Sequence, residues 1–198
     1  MNRRRKEQSP NSGRLRLVSD RSGSADAQPK LPPPRIVPVA AQREIAFPPL
    51  GLRQIFGGDA LPANMSLFHV VIPPRSGAAP PHRHDNEDEV CHVLDGTVHF
   101  LLGERVEAAG PGDTVLLPRG EWHANWNEGD VPVRCLVLLS QHTRYEHFFD
   151  AAARWARSDS SGDAAARMRL LAETAAEYGV KVDLARLPVR AAPFFGLA

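Results

Sequence analysis

Between residues 66 and 139 the chain is divided into short apolar runs separated by turn residues. "SLFHVVI" (66–72), "EVCHVL" (89–94), "TVHFLL" (97–102), "DTVLLP" (113–118) and "VPVRCLVLL" (131–139) are rich in β-branched and aromatic residues, and each is bounded by Gly, Pro, Asn or Asp. Runs of this length at this spacing suit an all-β sandwich or barrel rather than βαβ units. Asp95-Gly96, between two of the runs, is a hairpin signal. "EAAGPGD" (107–113) and "NEGD" (127–130) supply further turns.

After Ser140 the period changes. Tyr145, Phe148, Phe149, Ala152 and Ala156 fall on one helical face, as do Met168, Leu171, Ala175 and Tyr178, with Gly179 placed to end the second helix. Two C-terminal α-helices should therefore follow the barrel, their apolar stripes packing on its outer surface or on a partner subunit. No internal repeat is visible, so one barrel is expected rather than two.

Residues 1–44 have a different composition. They contain no aromatic residue, five serines and the run Pro32, Pro33, Pro34, and they hold ten Lys/Arg against four Asp/Glu. Such a segment cannot bury enough apolar area to offset its ordering entropy, so a disordered basic tail is expected, extended around Pro32–Pro38. The expected organisation is a tail over 1–44, a barrel over 45–141 and a helical extension over 142–198.

The chain is +1 overall, so the tail's surplus of six positive charges leaves the remainder at −5. That balance gives no nucleic-acid footprint on the folded domain. Cys91 and Cys135 are too few and too far apart for a disulfide framework, and no apolar run approaches the ~20 residues of a membrane span. Arg3, Arg4 and Arg5 are not followed by the apolar segment of a secretion signal. A cytoplasmic protein without membrane contact is the expectation.

The stretch "PPHRHDNEDEV" (80–90) concentrates ligand chemistry. In an extended segment His82 and His84 point the same way, and Glu89 can return to their side once "DNED" has turned the chain. His123, in "PRGEWHANWN", is a fourth candidate. Neutral imidazoles with one carboxylate suit a single divalent first-row ion such as iron, manganese, nickel, copper, cobalt or zinc, and three His with one Glu leave open positions on an octahedral ion.

The full pattern resembles the cupin family. Its first motif is matched by Gly77, four residues, His82, Arg83, His84, four residues, Glu89, six residues and Gly96. The second is matched by Gly112, five residues, Pro118, Arg119, Gly120, two residues, His123, three residues and Asn127. The resemblance covers roughly residues 50–140. It implies a single jelly-roll-like barrel with a metal inside, held by His82, His84, Glu89 and His123, with Gly96 and Gly112 as turn glycines and Asn127 closing the turn after the second motif.

Within the family, "PPHRHDNEDEVCHVLDG", "PRGEWHANWN" and "RYEHFFDAAARWA" resemble small single-barrel cupins of the quercetin 2,3-dioxygenase-like kind. The resemblance implies a dioxygenase in which the metal holds an oxygenated enolate, O2 adds to it, and Glu89 doubles as catalytic base. It also implies a homodimer. One departure stands out: Cys91 and His92 occupy positions where many relatives carry aromatics.

Alternation from Glu89 sends Cys91 and Val93 inward and His92 and Leu94 outward, and from His123 it sends Asn125 inward. Phe68, with Val70 and Ile72, is the more apolar of the two faces its strand offers, which leaves His69 and His99 outward. Phe68, Cys91 and Asn125 are thus the expected pocket residues. Trp122 and Trp126 could form a lip, a subunit contact or core, and the acids of "HDNEDE" other than Glu89 read as a solvated turn whose carboxylates could also orient the imidazoles. The expected function is metal-dependent oxidation of a small enolisable or aromatic substrate. A metal-dependent isomerase, decarboxylase or hydrolase, and a non-catalytic small-molecule binder, use the same ligands.

Overall fold

The computed structural model describes residues 32–61, 63–140, 145–158 and 163–197, of which 145, 146 and 155–158 are described by backbone alone. Eleven strands and two helices follow in chain order among them. They are β1 (Arg43–Phe47), β2 (Leu50–Phe56), β3 (Ser66–Ile72), β4 (Ser76–His84), β5 (Glu89–Asp95), β6 (Val98–Leu102), β7 (Arg105–Ala109), β8 (Thr114–Leu117), β9 (His123–Asn127), β10 (Val133–Leu139), α1 (Tyr145–Ser158), α2 (Ala164–Ala176) and β11 (Val180–Val182). Every strand pairing is antiparallel. The six-stranded sheet runs β1-β2-β3-β10-β5-β8 and the five-stranded sheet runs β11-β4-β9-β6-β7.

Alternating burial shows how the sheets face one another. Along β5, Glu89, Cys91 and Val93 are buried while His92 is half-buried and Leu94 exposed. The inward residues meet Val98 and Phe100 of β6, on the opposite sheet, in one apolar cluster with Ile72, Val133 and Cys135. The all-β jelly-roll expectation thus holds, and Phe68, Cys91 and Asn125 point into its interior.

Asp95-Gly96 is a turn, with Gly96 at φ 78°, but it does not make the expected hairpin: β5 and β6 belong to different sheets, so it carries the chain across the barrel. A Cβ on Gly96 would also lie 2.8 Å from the Pro132 carbonyl oxygen. The turn expected over 107–113 is confined to its second half, because β7 pairs with β6 as far as Ala109.

The C-terminal region differs most from expectation. Phe148 and Ala152 of α1 and Leu171 and Ala175 of α2 share a buried cluster with Ile45, Leu52, Phe68 and Leu139. The helices therefore cover the inner face of the six-stranded sheet instead of packing on the outside of the barrel. Residues 142–198 are not simply helical either: β11 joins the five-stranded sheet by pairing Val180, Lys181 and Val182 with His84, Arg83 and His82. A 3-10 segment, Val189–Phe195, then lies on the outer face of that sheet, with Ala191 and Phe195 against Leu101, Ala124 and Trp126. This second cover explains why all five residues of β9 are buried. Gly77 permits it, since a Cβ there would sit 2.4 Å from the Phe195 ring.

At the other end, β1 begins at Arg43, two residues before the expected barrel boundary, and Pro38 is in polyproline geometry at φ −67°, ψ 154°. The expected disordered tail otherwise falls on residues 1–31, outside the described ones. Among the described residues no helix is long and apolar enough to cross a membrane.

Candidate metal centre

The two motif histidine strands are neighbours. β4 and β9 pair in a register that sets His82 directly opposite His123, with ring centroids 4.2 Å apart, and His84 follows on the same face of β4 with its ring 5.2 Å from that of His82. The loop 85–88 then crosses to the other sheet. Glu89, first residue of β5, faces the histidines from across the barrel, with its Oε2 3.3 Å from His84 Nε2 and 3.8 Å from His123 Nε2. His82, His84, Glu89 and His123 are all buried, and each offers one ligand atom within 4.8 Å of the others.

Ring orientation favours a cation at the centre. His82 Nδ1 lies 2.8 Å from the Pro80 carbonyl oxygen and His123 Nδ1 lies 3.0 Å from that of Glu121. A carbonyl only accepts, so each Nδ1 carries the proton and each Nε2 keeps its lone pair, the tautomer a metal ligand requires. His123 Nε2 is buried and has no hydrogen-bond partner. A divalent ion fits this donor set: it would complete the lone pairs that the protein leaves unsatisfied.

The charges agree. Burial, then the neighbouring imidazoles of His123 and His84, hold the His82 pKa well below its ordinary value, which keeps that ring neutral. Burial works against a charge on Glu89 as well, but His123 and His84 outweigh it and hold its carboxyl well below the usual range. For His84 burial is again opposed, here by Glu87 and Glu89, and its pKa is raised to about 9.

Two turns hold the ligands in place. Gly120, at φ 83°, donates its N–H to the His84 carbonyl at 2.8 Å. Asp88 accepts from the Arg119 backbone N–H at 3.0 Å and from Arg119 Nε and Nη2 at 3.1 and 2.6 Å, which ties the loop before Glu89 to the loop before His123. With Asp88 turned outward, Glu87 and Glu89 both turn inward. The acidic stretch is therefore not simply a solvated turn, because Glu87 is 0% exposed, with Oε2 3.4 Å from His84 Nδ1. Strand alternation does not reach it, because residues 85–88 are a loop.

Below the cluster lies a cavity of about 110 Å³. Its polar lining consists of His82, Glu89 and Asn125 with the thiols of Cys91 and Cys135, and among the described residues no Lys, Arg or Asp reaches it. Phe47, Phe68, Phe148 and Phe149 supply aromatic walls, and Leu171, Ala175, Val180 and Val182 bring the C-terminal region into the lining. Cys135 and the C-terminal residues are pocket members that pattern alone did not single out. The signal for Cys135 was nonetheless present, since exposed Arg134 marks the outward phase of β10 and alternation then sends Val133 and Cys135 inward. Contact with Cys135, then burial, pushes the Cys91 thiol up, which makes it a poor ligand beside the imidazoles.

Other expectations can be placed. Asn127 donates from Nδ2 to the carbonyls of Pro73 and Val131 at 2.9 and 2.8 Å and accepts from Gly129 N–H at 2.8 Å, closing the turn. Trp126 is core and Trp122 stacks between the guanidinium groups of Arg83 and Arg186, at 5.2 and 4.7 Å, so neither lines the cavity. His69 and His99 lie outside the cavity, and His142 falls outside the described residues.

Residues 68–139 match the cupin domain model. With two facing antiparallel sheets around a buried His3Glu cluster, this part of the chain is a cupin domain. It is similar to germin-like protein 4-1 of Oryza sativa subsp. japonica, 30% identical over 105 residues that are 48% of this chain and 40% of that protein. The chain thus spans less than half the length of that relative. Among solved structures it is similar to the polyketide cyclase RemF of Streptomyces resistomycificus (28% identity, 50% of this chain, 69% of that chain, TM-score 0.42). A sugar phosphate isomerase from Silicibacter pomeroyi is a further match (24%, 46%, 59%, TM-score 0.40).

Proposed function

We propose that this cupin is a metal-dependent enzyme of the dioxygenase type, acting on a small, uncharged, aromatic or enolisable molecule that presents oxygen atoms to the cluster. The cavity lining carries the reading: His82 and Glu89 stand at one end, and most of the remaining wall is hydrocarbon. A sugar phosphate or a dicarboxylate could place one anionic group on the metal, but no cationic side chain among the described residues would meet its remaining charge. An aromatic ring would instead meet Phe68 and Phe149, whose centroids are 5.3 Å apart.

A divalent transition ion held by His82, His84, Glu89 and His123 would supply Lewis acidity toward the substrate oxygens and, if redox-active, a route for O2 to react. The chain's own residues do the rest. Glu89, kept ionised by the imidazoles around it, is a base placed to take a proton from a substrate hydroxyl. The phenyl walls exclude water. Asn125, 8% exposed with a buried Oδ1 that has no hydrogen-bond partner, offers the substrate an amide beside the cluster.

The test is elemental analysis of protein purified without chelator, followed by O2-electrode assays with flavonols and other enolisable phenols beside sugar phosphates and dicarboxylates. O2 uptake coupled to loss of a phenolic substrate is expected. Turnover of any substrate without O2 consumption would replace the reading with an isomerase or decarboxylase, and tight binding without turnover would make the protein a ligand-binding module.

A further inference from the structure

Glu87 has no place among the four ligands, yet it is fully buried one residue before the Asp88 clamp. A buried carboxyl is costly unless paired, and neither of its oxygens meets hydrogen-bond geometry with any partner. The neighbour it does have is specific: Oε2 lies 3.4 Å from His84 Nδ1, while the other nitrogen of the same ring lies 3.3 Å from Glu89. The imidazole is thus held between two carboxylates, one on the cluster side and one behind it. A residue serving only to fill space would be apolar here, as Leu117 and Leu139, both paired with Glu89 across the strands, are.

We propose that Glu87 is a positioning residue of the metal centre: its carboxylate accepts from the His84 Nδ1–H, turns Nε2 toward the cluster and strengthens that nitrogen as a donor. Carboxylates behind ligating imidazoles act in this way because they select one tautomer and make the ring more basic toward the ion. The inference rests on the metal-binding reading above. His82 and His123 have backbone carbonyls behind them, at 2.8 and 3.0 Å, so His84 is the one ligand imidazole backed by a negative charge.

The experiment uses the full chain and Co(II) as probe, titrated in competition with a chelator and followed by its visible absorption. Glu87→Gln, which keeps the shape and removes the charge, should lose ~10–100-fold in Co(II) affinity and shift the absorption bands. Thermal unfolding of the metal-free protein should be unchanged or improved. Glu87→Met, with no hydrogen-bonding atom, should lose at least as much and serves as the second variant should the first fail to fold. Wild-type affinity and spectrum in either folded variant overturns the proposal. So does a fall in metal-free stability with the affinity and spectrum of the folded protein unchanged, which would make Glu87 a packing residue. A wild-type chain that binds neither Co(II) nor Zn(II) fails differently, since it removes the metal-binding reading itself.

Discussion

The two ends of the cavity are built by opposite strategies. The polar end draws His82, His84, Glu87 and Glu89 from eight consecutive residues and adds only His123 from elsewhere. The apolar end gathers Phe47, Phe68, Phe148, Phe149 and Leu171 from four separate elements, β1, β3, α1 and α2. At the first end position is set by local strand geometry, a clamped loop and one pairing register. At the second it is set by helices that fold back across a sheet. Chemistry that tolerates little displacement sits where the backbone is most constrained, and shape selection sits where elements can be exchanged.

The two ends should therefore fail independently. The largest effect is expected from His123→Ala, which should abolish stoichiometric metal binding, measured by elemental analysis, while the barrel still unfolds cooperatively. Metal retained at wild-type content would remove His123 from the centre. Next, Phe148→Ala should cost ~3–5 kcal/mol in denaturant unfolding, because it empties a buried aromatic position, yet leave metal affinity unchanged. A parallel loss of metal affinity would show that the helices brace the polar end as well.

Asn125→Leu should separate the ends more finely. A buried amide oxygen without a partner costs ~1–3 kcal/mol, so stability should hold or rise, while substrate affinity falls. Reduced stability with unchanged KM would give Asn125 a structural role only.

The smallest effect belongs to Asp88→Asn. Arg119 holds the Asp88 carboxyl well below the ordinary range. The stabilisation is thus fully present above the unfolded value of ~4 and is lost as pH falls through the lower folded one. The variant should melt slightly below wild type at neutral pH, and the gap should close in acid. The pair is largely exposed, so screening limits the shift. A gap that persisted at low pH would point to Ser140, whose Oγ lies 3.3 Å from Asp88, rather than to the charge.

Much of the polar end was legible because strand alternation is a local rule. It put His82 and His84 on one face, sent Cys91 and Asn125 inward, and left His92 outward. The same rule says nothing of what covers an outward face, as on β9, where Ala124 and Trp126 are buried too. It also cannot tell a turn within a sheet from one between sheets, which is why Asp95-Gly96 reads as a hairpin and the acidic stretch as solvated.

From the order of residues alone come the all-β architecture, the two helical stripes and the four clustered ligand side chains, because each depends on periodicities of two or 3.6 and on turn residues at fixed offsets. Tertiary structure alone decided that the helices line the cavity, that β11 and the Val189–Phe195 segment cover the ligand-bearing sheet, and that Glu87 is buried behind His84. Those outcomes turn on which apolar faces find each other across long stretches of chain, and no local pattern encodes that choice.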